Sequence, residues 1–125
     1  MGDYRDLELW RRSKKLAVEI WKVAKSLPRE ETYVLGIQLK RSALSIPANI
    51  AEGWGRWGEK DFKRFLAIAM GSACELETHL AIALDLGYLK PEACKTLLSE
   101  LGEIRRMLGA FIGYLKRKSA AAGRS

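Results

Sequence analysis

Apolar residues recur along this chain at alternating spacings of three and four. From about Asp6 to Ser26 the stripe is Leu9, Ser13, Leu16, Ile20, Val23 and Leu27. That rhythm predicts a helix with one face packed in a bundle, and Arg11, Lys15, Lys22 and Lys25 fall on a different face. A second helix is expected after Leu27-Pro28-Arg29-Glu30-Glu31. Pro28 suits a first helical position, and the two glutamates suit the positive end of the helix dipole. Leu35, Leu39, Ala43, Ile46 and Ile50 form one stripe here, and Ile37, Leu44 and Ala51 form another. A helix apolar on two sides is covered on two sides, either within the bundle or partly by another subunit. Pro47 interrupts this helix: its missing N–H should leave the Ala43 carbonyl unpaired and kink the backbone. The helix should end near Gly53 or Gly55.

The third helix is expected to start near Gly58, with Glu59 and Asp61 in its first turn. Its seam is Phe62, Leu66, Ala69, Ala73, Leu76, Leu80, Ala83 and Gly87. The small residues permit close helix approach, and Gly87 suits the position just past the C-cap. Lys90-Pro91-Glu92 opens the fourth helix, whose seam is Cys94, Leu97, Leu101, Ile104, Leu108, Phe111 and Leu115. The apolar pattern is lost after Lys116-Arg117-Lys118, so residues 119–125 are expected to form a disordered tail. Four helices with short connections predict an all-α, antiparallel up-down-up-down four-helix bundle, a single domain over residues 1–118.

Composition narrows this reading. The chain has 125 residues, 48% hydrophobic and 30% charged, which suits one soluble globular domain. Lys and Arg total 22 against 15 Asp and Glu, a formal charge of +7. Such an excess points to a polyanionic partner or to a solvated basic surface. Cys74 and Cys94 have no CxxC spacing and fall on core stripes, so both read as small buried hydrophobes. The N-terminus is charged from Asp3 onward, unlike a signal peptide, and no apolar run approaches the roughly 20 residues that span a bilayer. A cytoplasmic protein with no membrane partner is expected.

Enzymatic chemistry finds little support. There is one histidine, His79, with Glu75 four residues before it. A di-iron bundle needs Glu-x-x-His pairs on two helices, and a nucleophile–His–acid triad would rest on His79 alone. No catalytic residue, metal site or cofactor is expected. Ser72, Glu75 and His79 share a stripe with Phe65, Ile68, Ile82 and Leu86, which suggests partial burial. A glutamate there needs a partner. Two readings stay open: a polar network fixing helix register or a subunit interface, or a functional site.

The least ordinary segment is Asn49-Ile50-Ala51-Glu52-Gly53-Trp54-Gly55-Arg56-Trp57-Gly58. Trp54 and Trp57 either stack on bases, with Arg56 on phosphate, or close the bundle end or a subunit interface. In an up-down bundle the first helix starts at the end where the second stops, the third starts and the fourth stops. Arg11, Arg12 and Lys15 should therefore crowd with Arg56, Lys60, Lys63 and Arg64 and with Lys116, Arg117 and Lys118. Concentrated charge favours a polyanion over a merely solvated surface.

The run Gln38-Leu39-Lys40-Arg41-Ser42-Ala43-Leu44-Ser45-Ile46-Pro47-Ala48-Asn49-Ile50-Ala51-Glu52-Gly53 resembles the signature of the bacterial four-helix-bundle family encoded in intervening sequences of 23S ribosomal RNA genes. Phe62, Phe65-Leu66, Ala69, Gly71-Ser72, Glu75-Leu76, Leu86-Gly87-Tyr88, Leu9-Trp10 and the Leu16, Ile20-Trp21 stripe also match, so the resemblance covers nearly the whole chain. It implies a homopentamer with a basic surface, which would account for the two-sided second helix. Pro47, Asn49, Glu52, Trp54, Trp57, Ser72 and Glu75 then become interface or structural positions. The family is also similar to pentameric accessory proteins of diversity-generating retroelements, which bind nucleic acid and a reverse transcriptase. The expected function is non-enzymatic nucleic-acid binding, to RNA above all. The alternative is a protein-interaction scaffold for a partner such as a reverse transcriptase.

Overall fold

The computed structural model describes residues 2–55 and 58–123. Four helices carry the chain: α1 (Glu8–Lys25), α2 (Leu35–Trp54), α3 (Glu59–Asp85) and α4 (Pro91–Gly123). Short 3-10 turns span Tyr4–Asp6 and Arg29–Glu31, and no strand occurs among the described residues. The expected all-α four-helix fold is what forms. α2 packs most extensively on α3, while α1 lies against α2 and α4 against α3. The circuit closes weakly, because α1 and α4 touch little and leave a groove of about 670 Å³ between them.

The three-four seams meet in one core. Ile20, Leu39, Ile46, Ile50, Leu66, Leu76, Leu80, Leu101, Ile104 and Leu108 are completely or almost completely buried. Ala69, Ala73 and Ala83 on α3 are also fully buried and carry little bulk, which lets α2 and α4 approach this central helix. α3 ends where expected, and for the expected reason. Gly87 takes φ +77°, its N–H donates to the Leu84 carbonyl, and the Tyr88 N–H donates to the Ala83 carbonyl. This paired closure needs a left-handed residue, which glycine supplies without strain.

Several local expectations are corrected. Pro28 does not open α2; it precedes the 3-10 turn Arg29–Glu31, and α2 begins at Leu35. Tertiary contact accounts for the difference. The Tyr88 hydroxyl, at the α3–α4 corner, donates to Glu31 Oε2 at 2.8 Å and ties the turn down. Pro47 is buried and does not interrupt α2, which continues through it and ends at Trp54 with Gly55 as its C-cap, where its end was expected. The second apolar stripe of α2 is only partly covered within the bundle: Leu44 is 47% exposed, and Ile37 and Ala51 are half-buried. Cys94 is buried, but Cys74 is exposed.

α4 stays helical through residues 119–123, where a disordered tail was expected. Those positions are exposed and rich in alanine, so helix propensity carries them without packing. α3 is 27 residues long and has an 18-residue window of mean hydropathy 1.3, so by length and composition it could cross a membrane, contrary to the sequence reading. Its large apolar residues Leu66, Leu76 and Leu80 are spent on the core instead.

Candidate nucleic-acid interface

α4 outruns α1 and lays its last turns along the start of α3. Phe62 and Leu66 face the core from the first turns of α3, so Lys60, Lys63 and Arg64 are left on its flanks. Across from them α4 presents Ile112 and Lys116. Lys60, Lys63, Arg64 and Lys116 line one open groove of about 450 Å³, with Asp61 and an apolar floor of Ala67 and Ile112. An adjoining hollow of about 490 Å³ is lined by Lys60, Lys63 and Lys118. Lys118 is ion-paired with Glu59, and this contact raises the Lys118 pKa. Arg64 lies over the Phe65 ring, 4.7 Å from its centroid. Among the described residues Lys60, Lys63 and Lys116 have no carboxylate within ion-pair distance. Arg117 is exposed, with its guanidinium folded back toward Gly113.

The expected single basic end splits in two. Arg12 lies in the α1–α4 groove, where Nε and Nη2 donate to the two carboxylate oxygens of Glu100 at 2.8 and 2.9 Å. Glu8 sits 3.7 Å from the same guanidinium. The two-pronged contact raises the Arg12 pKa and lowers that of Glu100. Lys15 and Glu19 line the same groove, and Arg11 donates to the Arg5 carbonyl at 3.2 Å. Arg12 also reaches Met107 Sδ, and Lys116 lies roughly 14 Å further along the α4 axis at 1.5 Å per residue. Up-down topology gave the correct end, but the overhang of α4 separates the clusters.

Beside the α3–α4 groove, four aromatic rings form a corner. Trp54 meets Phe62 edge to face at 5.4 Å, Phe62 meets Phe111 at 5.1 Å, and Phe111 meets Tyr114 at 6.5 Å. The Trp54 Nε1–H donates to the Gly2 carbonyl at 2.8 Å, so Trp54 closes the bundle end against the N-terminal arm. The rings enclose a hollow of about 310 Å³ with Gly53, Glu59 and Leu115. A Cβ at Gly53 would stand 2.6 Å from the Phe65 Cβ, so only glycine lets α2 and α3 converge here. Tyr114 escaped the sequence reading. Its signal was the spacing of three from Phe111, just ahead of the basic tail.

The α2–α3 seam holds the expected polar network, with different members. Ser45 and Ser72 hydroxyls lie 2.6 Å apart. Asn49 Nδ2 donates to the Ser45 carbonyl at 2.7 Å and to its hydroxyl at 2.9 Å. The Ser42 hydroxyl lies 3.3 Å from His79 Nδ1 and donates to the Gln38 carbonyl. Ser42 and Ser45 were missed as members, though they lie one turn apart on the α3 side of α2. Glu75, expected inside the network, is exposed and has no hydrogen-bond or ion-pair partner among the described residues. Glu52 is also exposed, near the end of α2. Arg56 and Trp57 lie outside the described residues. Among the described residues no three His, Cys, Asp or Glu side chains gather as metal ligands.

The arrangement is a basic groove and an aromatic hollow built on a bundle, and comparison with known proteins assigns the bundle. The family model described as 23S rRNA-intervening sequence protein matches residues 5–110. The chain belongs to this family. A crystal structure of a protein of unknown function from the S23 ribosomal protein family, from Bacteroides thetaiotaomicron VPI-5482, is 30% identical with a TM-score of 0.79. That alignment covers 83% of this chain and 97% of the other. Comparison with curated proteins finds no match. The family match ends at residue 110, so Phe111, Tyr114 and the basic residues 116–118 lie beyond it.

Proposed function

We propose that this member of the intervening-sequence family is a non-enzymatic nucleic-acid-binding protein of the cytoplasm, with single-stranded RNA as its ligand class. The observation that carries this reading is the α3–α4 groove, where Lys60, Lys63, Arg64 and Lys116 converge with Asp61 as the one carboxylate among the described lining residues. Uncompensated cations at such spacing attract a phosphate backbone and release its counterions on binding. The family's link to 23S rRNA genes supports RNA over other polyanions. Contacts of this kind read phosphates and carry little sequence information.

A salt titration of binding to a fluorescent single-stranded RNA tests the reading. Affinity should fall on a log–log plot with a slope of about −0.7 for each phosphate neutralised. Binding that ignores salt, or no binding at low salt, overturns it.

Self-association is a second part of the proposal, with a homopentamer as the assembly. Leu44 on α2, Ile68 and Ile82 on α3 and Leu86 at its C-cap are 42–54% exposed, and apolar surface of this kind is commonly covered by another chain. A second copy would cover it and would repeat the basic groove around an axis, so weak phosphate contacts add through avidity. Native mass measurement tests this; a monomer at micromolar concentration overturns it. The same apolar surface supports the competing reading, a scaffold for a protein such as a reverse transcriptase. A nuclease-resistant complex with one protein would favour that reading.

A further inference from the structure

The aromatic hollow beside the basic groove has no role in phosphate binding and is more than a bundle end requires. Its walls are Trp54, Phe62, Phe111 and Tyr114. Trp54, Phe62 and Phe111 are tied into edge-to-face contacts at interplanar angles of 80° and 89°, and Tyr114 meets Phe111 at 67°. Each edge-to-face contact covers one face of one ring, and Phe62 is buried, so the ring surface left for a ligand belongs to the partly exposed Trp54, Phe111 and Tyr114. Tyr114 is 51% exposed at the mouth, and its hydroxyl has no hydrogen-bond partner among the described residues. The Trp54 N–H is already satisfied by Gly2, so that ring asks nothing more of a ligand than contact with its face.

The volume, about 310 Å³, lies at the lower limit of small-molecule pockets and suits a single ring system. The hollow also shares Glu59 and Leu115 with the depression that Lys60, Lys63 and Lys118 line. An aromatic site and a cationic track therefore meet at a common rim.

We infer that this hollow is a nucleobase pocket: one unstacked base of a single-stranded polynucleotide enters it, while the flanking phosphates lie on Lys60, Lys63 and Lys116. The inference rests on the nucleic-acid reading above and deepens it, because it requires a single strand and assigns the base a place. A stacked duplex base cannot reach the pocket without leaving its helix, whereas single strands present bases to aromatic faces freely. The rival occupant of an aromatic cage is a cationic side chain of a protein partner. Lys60, Lys63 and Lys118 in the adjoining depression oppose a cation and favour an anionic chain. Glu59 lies on the rim but is engaged by Lys118.

The test compares a short labelled oligo(U) with an abasic oligomer carrying the same number of phosphates, each titrated against the full chain at low salt. The oligo(U) should bind about 5- to 150-fold more tightly, the range that one stacked base supplies. Tyr114→Ala should remove most of that difference and leave the salt slope unchanged, whereas Tyr114→Phe should keep it. Circular dichroism of both variants confirms that the bundle is intact. Oligo(dT) run alongside assigns the sugar: weaker binding names RNA, equal binding names any single strand, and either supports the pocket. Equal affinity for oligo(U) and the abasic oligomer, with a normal salt slope, overturns the pocket and leaves the phosphate interface standing. Binding of neither oligomer overturns the interface reading itself. Displacement of bound oligo(U) by choline at lower concentration than by uridine monophosphate assigns the cage to a cation and overturns the inference.

Discussion

The two grooves that border α4 both carry basic residues, two in one and four in the other, and have opposite characters. In the α1–α4 groove Arg12 is held two-pronged by Glu100 with Glu8 nearby, and Lys15 faces the same carboxylate. Positive charge there is spent on joining two helices that otherwise touch little. In the α3–α4 groove Lys60, Lys63 and Lys116 have no such partner, and the helices beneath are already joined by Phe62, Leu66 and Leu115. A basic residue in sequence is therefore not yet a positive surface. What distinguishes the grooves is where the acidic residues of α4 fall: Glu92, Glu100 and Glu103 lie in its first half, and none follows Glu103.

The sharpest way to break this contrast is to strip each groove in turn. Lys60→Ala/Lys63→Ala/Lys116→Ala should flatten the salt slope of RNA binding by about 2, three contacts at about 0.7 each. Arg11→Ala/Arg12→Ala/Lys15→Ala should change it by less than half as much; equal losses would erase the distinction. Next in size is Gly53→Ala. Its new methyl meets the Phe65 Cβ and the Phe62 ring, so it should destabilise the fold by about 1–3 kcal/mol in denaturant titration and weaken RNA binding by displacing the start of α3. The Arg12–Glu100 contact lies outside that displacement.

Glu100→Gln tests the comparison from the other side. It should cost roughly 0.2–1 kcal/mol, since both partners are partly exposed, and it should free Arg12 to add up to about 0.7 to the salt slope. The smallest effect is in pH. The bond from Arg12 holds the Glu100 carboxyl below its ordinary value. A carboxyl lowered in the folded state contributes stability above its unfolded pKa of about 4.3, and that contribution is lost as pH falls through the folded value. Between pH 7 and pH 3 the native chain should therefore lose more melting temperature than Glu100→Gln, by a degree or two at roughly 0.5 kcal/mol.

Legibility in the sequence follows the range of the interaction. The seam of α3 from Phe62 to Ala83 is buried position for position, because heptad spacing is a local property of a helix. Gly87 as a helix stop is equally local. The start of α2 was misplaced because Pro28 fits a helix and a 3-10 turn alike, and the choice is made by Tyr88 from another corner of the bundle. Glu75 was placed in the Ser72 network on periodicity, yet it points to solvent while Ser45 arrives from α2 to meet Ser72. The residues of the candidate interface were largely named from sequence. Their division into a neutralised and an open group was not.

Sequence by itself determined four amphipathic helices, their order, and a surplus of basic residues near the helix ends, because each is written in spacings of a few residues. The tertiary structure alone decided that α4 overhangs α1, so that Arg12 finds Glu100 while Lys116 finds Lys60 and Lys63. It also gathered Trp54, Phe62, Phe111 and Tyr114 from three helices into one hollow. The physical reason is that electrostatic potential and ring contacts depend on distances between side chains far apart in the chain, and those distances are fixed only when the core packs.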